Sequence, residues 1–178
     1  MIYLNADELM QALPLQAVMG CVEEALALYE AGSYEMPERL AVDCGQGNLL
    51  LLMPSVAQGH FATKLVTVYP GNRAKGRPVI DGLVVLAAQE TGEILALMDA
   101  KTVTAMRTGA VTGTSVRYLA REGAASVGLV GCGVQGYYQL LYACAARPIE
   151  RIALFDLSAE AVEAMQGRLR RALPAVEV

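Results

Sequence analysis

Apolar side chains near the N-terminus recur at helical spacing. Between residues 14 and 32, Leu15, Val18, Met19, Val22, Ala25, Leu26 and Tyr29 follow steps of three and four, which puts them on one face of a helix. Pro14 suits the first turn, and Gly32 suits the position just past the end. A shorter helix is predicted over 6–13, with Asn5 as its N-cap. From residue 39 the pattern changes. Apolar segments over 39–44, 48–54, 60–70, 80–90 and 93–100 are bounded by Gly, Pro and Asn turn signals and predict strands. Thr91-Gly92 predicts a tight hairpin between the last two. Short connections of this kind favour a mainly antiparallel sheet.

Residues 101–123 return to a helical pattern, now rich in Thr and Gly. Ala105, Gly109 and Gly113 recur at every fourth position, so one face is nearly smooth. Glycine costs about 1 kcal/mol in a helix interior relative to alanine, so this face implies a close neighbour, either another backbone or a ligand. Strand and helix then alternate: strand 125–131, helix 134–146, strand 151–156, helix 158–173 with Ser158 as N-cap, and a third strand opening at 175–178. This β-α-β-α-β order is that of a half unit of a doubly wound α/β fold. The fold class is therefore α/β, an α+β region followed by the first half of a Rossmann dinucleotide-binding domain.

Composition narrows the setting. Of 178 residues, 54% are hydrophobic and 18% charged, apolar for the length, so surface is expected to be buried in an oligomer or under a further segment. The net charge of −4 does not favour nucleic acid or anionic membranes as partners. Cys21, Cys44, Cys132 and Cys144 form no CxxC pair, and His60 is the sole histidine. No metal is expected, and reduced thiols in a cytoplasmic protein are the simplest reading. No signal peptide is visible at the N-terminus.

The chemistry concentrates in two places. "GLVGCGVQG" (128–136) spaces Gly131, Gly133 and Gly136 as GxGxxG, after a strand and at the start of a helix. Asp156 ends the next strand, 20 residues after Gly136, where a carboxylate can accept from a ribose hydroxyl. Phosphates would sit on the helix N-terminus. The acid would repel a 2′-phosphate, so NAD is expected rather than NADP. The alternative is a tight turn that binds nothing. Arg39, Lys64 and Arg107 form the second group, each in an apolar context. They are either solvated surface cations or a cradle for a small carboxylate, which arginine clamps and lysine polarises or deprotonates. His60 reads as a turn or strand-edge residue, Tyr137 and Tyr138 as packing residues. Arg168, Arg170 and Arg171 read as a cationic helix end.

Five segments stand together in order: "MPERL", "LLLLMPS", "ATKLVTVYPGN", "GLVVLAAQETGEILALMDAKTVTAMRTGAVTG" and "GLVGCGVQG". In these the chain resembles the ornithine cyclodeaminase/mu-crystallin family over essentially its whole length. That family includes alanine dehydrogenase-like enzymes and ketimine or pyrroline-2-carboxylate reductases. The resemblance implies a substrate-binding and dimerisation domain over 1–115 and the N-terminal half of a Rossmann NAD-binding domain over 116–178. It implies that Arg39, Lys64 and Arg107 hold the substrate, with Lys64 the candidate catalytic group. Thr108, Gly131, Gly133, Val134, Gln135, Gly136 and Asp156 would meet the cofactor.

The implied activity is NAD-dependent hydride transfer at the Cα of a small α-amino or α-imino acid, in a homodimer. Two departures qualify it. Ornithine cyclodeaminases carry a glutamate, associated with the distal amine, at the position held here by Leu51. Members also continue well over a hundred residues further, so the chain reads as an apparent truncation that lacks an acid/base aspartate. A truncated or non-catalytic NAD(P)H-binding relative is the alternative.

Overall fold

A computed structural model describes residues 1–178. Its elements are β1 (Ile2–Leu4), α1 (Ala6–Ala12), α2 (Leu15–Glu30), β2 (Leu40–Asp43), β3 (Leu49–Ala57), β4 (His60–Val68), a 3₁₀ turn (Pro70–Lys75), β5 (Ile80–Ala88), β6 (Ile94–Asp99), α3 (Ala100–Leu119), β7 (Ser126–Val130), α4 (Val134–Ala146), β8 (Arg151–Phe155) and α5 (Ala159–Ala172). The chain divides into two compact units. One contains Met1–Leu13 and Ala25–Thr104, the other Pro14–Glu24 and Ala105–Val178. Helices α2 and α3 contribute residues to both. No helix is long and apolar enough to cross a membrane.

The first unit is built on a six-stranded sheet in the order β1-β6-β5-β4-β3-β2. Every pairing is antiparallel except β1 with β6. Strand β1 was not expected from the sequence. It has three residues, and its partner lies more than ninety positions away, at Ala96–Met98. Asn5 ends it and caps α1 reciprocally with Glu8, so one residue closes a strand and opens a helix.

Strand β3 also runs further than expected, through Pro54 to Ala57. Proline cannot donate to a ladder and is tolerated where that side is unpaired. Leu52 pairs with Leu40, Val56 bridges to Glu35, and Pro54 faces the gap between them. The chain from Met36 to Arg39 leaves the ladder there.

Leu51, Val66, Val68, Val84 and Met98 pack with Ala100 and Val103 of α3 on one face of this sheet. On the other face, Leu40, Leu52, Leu65 and Leu83 stand in one row across four strands. Leu40, Val42, Leu65 and Leu83 of that face remain exposed.

The second unit pairs β7 with β8 in parallel. Glu177 bridges to Arg151 in parallel on the far side of β8, which is where the third strand of the half unit was expected. Leu140 of α4 and Met165 and Leu169 of α5 close over Ile149, Ile152, Val127 and Leu129. A second cluster joins Met19 of α2, Ala110 of α3 and Tyr142 of α4.

The smooth face of α3 is used here. A Cβ on Gly109 would lie 2.5 Å from the Tyr142 ring and 2.9 Å from the Tyr138 carbonyl oxygen, and one on Gly113 would lie 2.9 Å from the Tyr142 carbonyl oxygen. Of the two neighbours this stripe allowed, backbone or ligand, the close one is the backbone of α4. Tyr142 is fully buried, and that burial pushes its phenol up to about 12.

Candidate functional site

The glycine loop joins β7 to α4. Gly131 has φ +97°, a conformation that L side chains rarely adopt, and its N–H donates to the Phe155 carbonyl at 2.8 Å. Gly133 is the N-cap of α4 and supplies no side-chain cap. The first-turn N–H groups of Val134, Gln135 and Gly136 therefore open the helix without a side-chain acceptor from the cap residue. They sit at its positive end, as an anion site requires. Gly131, Gly133, Val134 and Gln135 are exposed and Gly136 is buried. A Cβ on Gly136 would meet the Gly131 carbonyl oxygen at 2.5 Å and Leu129 Cδ2 at 2.9 Å, so the third glycine sets the closeness of loop and helix.

Asp156 follows β8 and turns back to this loop. The Cys132 N–H donates to its Oδ2 at 2.6 Å, and the Ser158 N–H donates to its Oδ1 at 3.0 Å. These backbone donors, Ser158 foremost and then Cys132, hold the carboxyl below its ordinary value, because they favour the charged form. Burial, and then the Asp156 charge, push the Cys132 thiol up, so it stays a thiol. Each Asp156 oxygen keeps a second lone pair, so the carboxylate can brace the loop and still accept from a ribose hydroxyl. The brace through Cys132 was not anticipated from the sequence. The spacing of Asp156 from the loop was visible, but it cannot show a return hydrogen bond. A dinucleotide fits the groups present: a glycine cradle and a bare helix N-terminus that offer donors, and an ionised acid beyond the next strand that offers an acceptor.

The three cations lie in different surroundings. Lys64 is half-buried in mid β4, opposite Met53 on one side and Val84 on the other. Its Nζ is 3.5 Å from the Thr104 hydroxyl. Arg39 is exposed immediately before β2, next to the Leu40–Leu52 pair that ends the β2–β3 ladder. Arg107 and Thr108 are in α3 in the second unit, exposed and half-buried respectively. Leu51 packs in the apolar cluster on the face Lys64 shares. His60 opens β4 with its Nδ1 3.0 Å from the Gln58 carbonyl oxygen, a strand-edge role. Tyr137 lies under the Arg168 guanidinium, 3.7 Å from its ring centroid. That arginine therefore stacks on an aromatic face, while Arg170 and Arg171 complete the cationic last turn of α5.

The sequence model of the ornithine cyclodeaminase/mu-crystallin family matches residues 1–178. The chain belongs to that family. It is 39% identical over 137 residues to an alanine dehydrogenase from Archaeoglobus fulgidus, a stretch covering 77% of this chain and 42% of that protein. It superposes with a TM-score of 0.91 on the Thermococcus litoralis Δ1-pyrroline-2-carboxylate reductase in complex with NADH and L-proline. That match has 31% identity and covers 99% of this chain and 55% of the other. An archaeal alanine dehydrogenase dimer with bound NAD gives a TM-score of 0.89 at 31% identity, covering 98% and 54% respectively. The chain thus spans about half the length of the family members it matches. The expected fold, an α+β region leading into the first half of a Rossmann domain, is the fold observed.

Proposed function

We propose that this chain carries the substrate-binding part and the first cofactor-binding half of an NAD-dependent enzyme. It would act on a small α-amino or α-imino acid by hydride transfer at Cα, as a cyclodeaminase, an amino-acid dehydrogenase or a ketimine reductase. The observation that carries the reading is the glycine loop at the bare start of α4, braced by the Asp156 carboxylate. In this reading residues 1–115 bind substrate and pair subunits, and residues 116–178 bind cofactor.

When bound, the nicotinamide supplies or accepts the hydride. Gly131, Gly133, Val134, Gln135 and Gly136 let the pyrophosphate reach backbone donors, with Thr108 nearby. Asp156 accepts from a ribose hydroxyl and repels a 2′-phosphate. Arg39 and Arg107 anchor the substrate carboxylate, arginine being suited to a bidentate grip. Lys64 polarises the reacting centre or takes a proton from it. Leu51 offers no partner to a distal ammonium, which favours substrates without a cationic tail. The four free cysteines suit a reducing cytoplasm.

Fluorescence titration with NADH and NADPH, paired with turnover assays on L-alanine, L-proline and Δ1-pyrroline-2-carboxylate, tests the reading. NADH is expected to bind at least about tenfold tighter, because a like charge placed against the 2′-phosphate is costly. Equal affinities would remove Asp156 from cofactor choice. Absence of NADH binding would overturn the reading. Tight NADH binding without turnover would favour a non-catalytic NAD(P)H-binding relative.

A homodimer is proposed through the outer face of the six-stranded sheet. Leu40, Val42, Leu65 and Leu83 are exposed there on one face, and the matched archaeal alanine dehydrogenase is a dimer. Contiguous exposed apolar surface of this kind marks an interaction site. Sedimentation is expected to give a dimer for the chain and a monomer for the double substitution Leu65→Glu, Leu83→Glu. An unchanged dimer in the double variant would move the interface elsewhere.

A further inference from the structure

Lys64 occupies an unusual place for a lysine. Its register row is Met53–Lys64–Val84–Met98, and side chains directly opposite one another share a face. Two residues along the strand, Val66 is buried in the cluster with Val84 and Ala100. An ammonium on such a face needs a fixed polar neighbour. Helix α3 brings one to it. Ala100 is buried at the start of α3, and Val103 packs on the same cluster. The Thr102 N–H donates to Asp99 Oδ1 at 2.7 Å, which fixes the first turn. Thr104 follows directly, and its Oγ1 stands 3.5 Å from Lys64 Nζ. Thr104 also precedes Arg107 and Thr108 by three and four residues, so it shares their side of the helix.

We propose that Thr104 is a positioning residue for Lys64. Its hydroxyl steers the Lys64 amine and supports it in both protonation states. A hydroxyl has two acceptor lone pairs and one donor, and an ammonium has only donors. Thr104 therefore accepts from Lys64 when the lysine is charged and can donate to the amine lone pair when it is neutral. The contact survives the gain or loss of a proton, which a carboxylate or a carbonyl in the same place would not allow. This inference rests on the proposed role of Lys64 toward substrate and deepens it.

The chain has three lysines, Lys64, Lys75 and Lys101, so lysine labelled with ¹³C at Cε gives three resonances, with Lys64→Met to assign the first. The resonances are titrated with pH in the wild type, Thr104→Val and Thr104→Ser. Pyrrole-2-carboxylate is then added as a planar, unreactive imino-acid mimic. The Lys64 midpoint is expected to fall by about half a unit to one unit in Thr104→Val, because the hydroxyl holds the ammonium more strongly than the neutral amine by about that much. Lys75 and Lys101 should hold, and Thr104→Ser should restore the midpoint. Pyrrole-2-carboxylate should bind roughly fivefold more weakly to Thr104→Val than to wild type, again one hydrogen bond. Should Thr104→Val not fold, as judged by circular dichroism, Thr104→Ala is read in its place with the same expectation.

An unshifted Lys64 midpoint overturns the proposal, even where pyrrole-2-carboxylate binds. A shifted midpoint with no binding to any of the proteins upholds the Thr104–Lys64 pair and overturns the substrate reading instead.

Discussion

Gly136→Ala is expected to lose NADH binding by about a hundredfold while the chain stays folded. The added methyl carbon would stand 2.5 Å from the Gly131 carbonyl oxygen and 2.9 Å from Leu129 Cδ2. Leu129 can turn aside, but Gly131 is backbone in the loop itself, held by its N–H to the Phe155 carbonyl. Relief therefore moves the loop away from α4 and opens the cradle proposed for phosphate. Forcing one methylene-sized group into a closed contact costs about 3 kcal/mol at the upper end of its range, which corresponds to roughly a hundredfold in affinity. Gly128→Ala is the control, because a Cβ there meets nothing within 4 Å. Fluorescence titration decides the matter, and wild-type affinity in Gly136→Ala would sink the loop as a phosphate site.

The second large effect is on stability. In β5, Gly82 lies opposite Val66, and a Cβ on it would stand 2.1 Å from the Leu65 carbonyl oxygen and 3.0 Å from Val66 Cα. Both neighbours are backbone of β4, so no rotamer relieves the clash and the two strands must part. Gly82→Ala is expected to cost roughly 3 kcal/mol and to lower Tm by about 6–12 °C. Gly167→Ala provides the opposite sign. Its Cβ approaches nothing nearer than the tip of Arg171 at 3.9 Å, and alanine within a helix is worth roughly 0.5–1 kcal/mol over glycine. Thermal melts of the two variants that moved in the same direction would refute the account.

Local signals carried much of the architecture. Asn5 with Glu8 three residues on marks the start of α1, and the run from Val134 to Ala146 forms the helix its pattern predicts, residue for residue. Gly131 and Gly136 are glycines for reasons readable in the motif, one for its dihedral angle and one for close approach. What was not legible depended on partners distant in sequence. Strand β1 is too short to show a period of two and exists through β6. The glycine stripe of α3 left two kinds of neighbour open, and only the position of Tyr138 and Tyr142 decided between them. The extension of β3 through Pro54 depends on where β2 stops. Thr104 is one threonine among several in α3 until the fold sets it beside Lys64. The return bond from Cys132 to Asp156 is of the same kind.

That return bond constrains how this protein can change over evolution. Exchanging the acid at 156 for a small or basic residue is the simplest route to a cofactor bearing an extra phosphate. Here the same carboxylate also holds the Cys132 and Ser158 amides. A single exchange would therefore loosen the turn proposed to grip the pyrophosphate at the moment it admits the new cofactor. A change of cofactor preference in this lineage should thus come as a pair of substitutions, with the acceptor for the Cys132 amide supplied before the acid is given up.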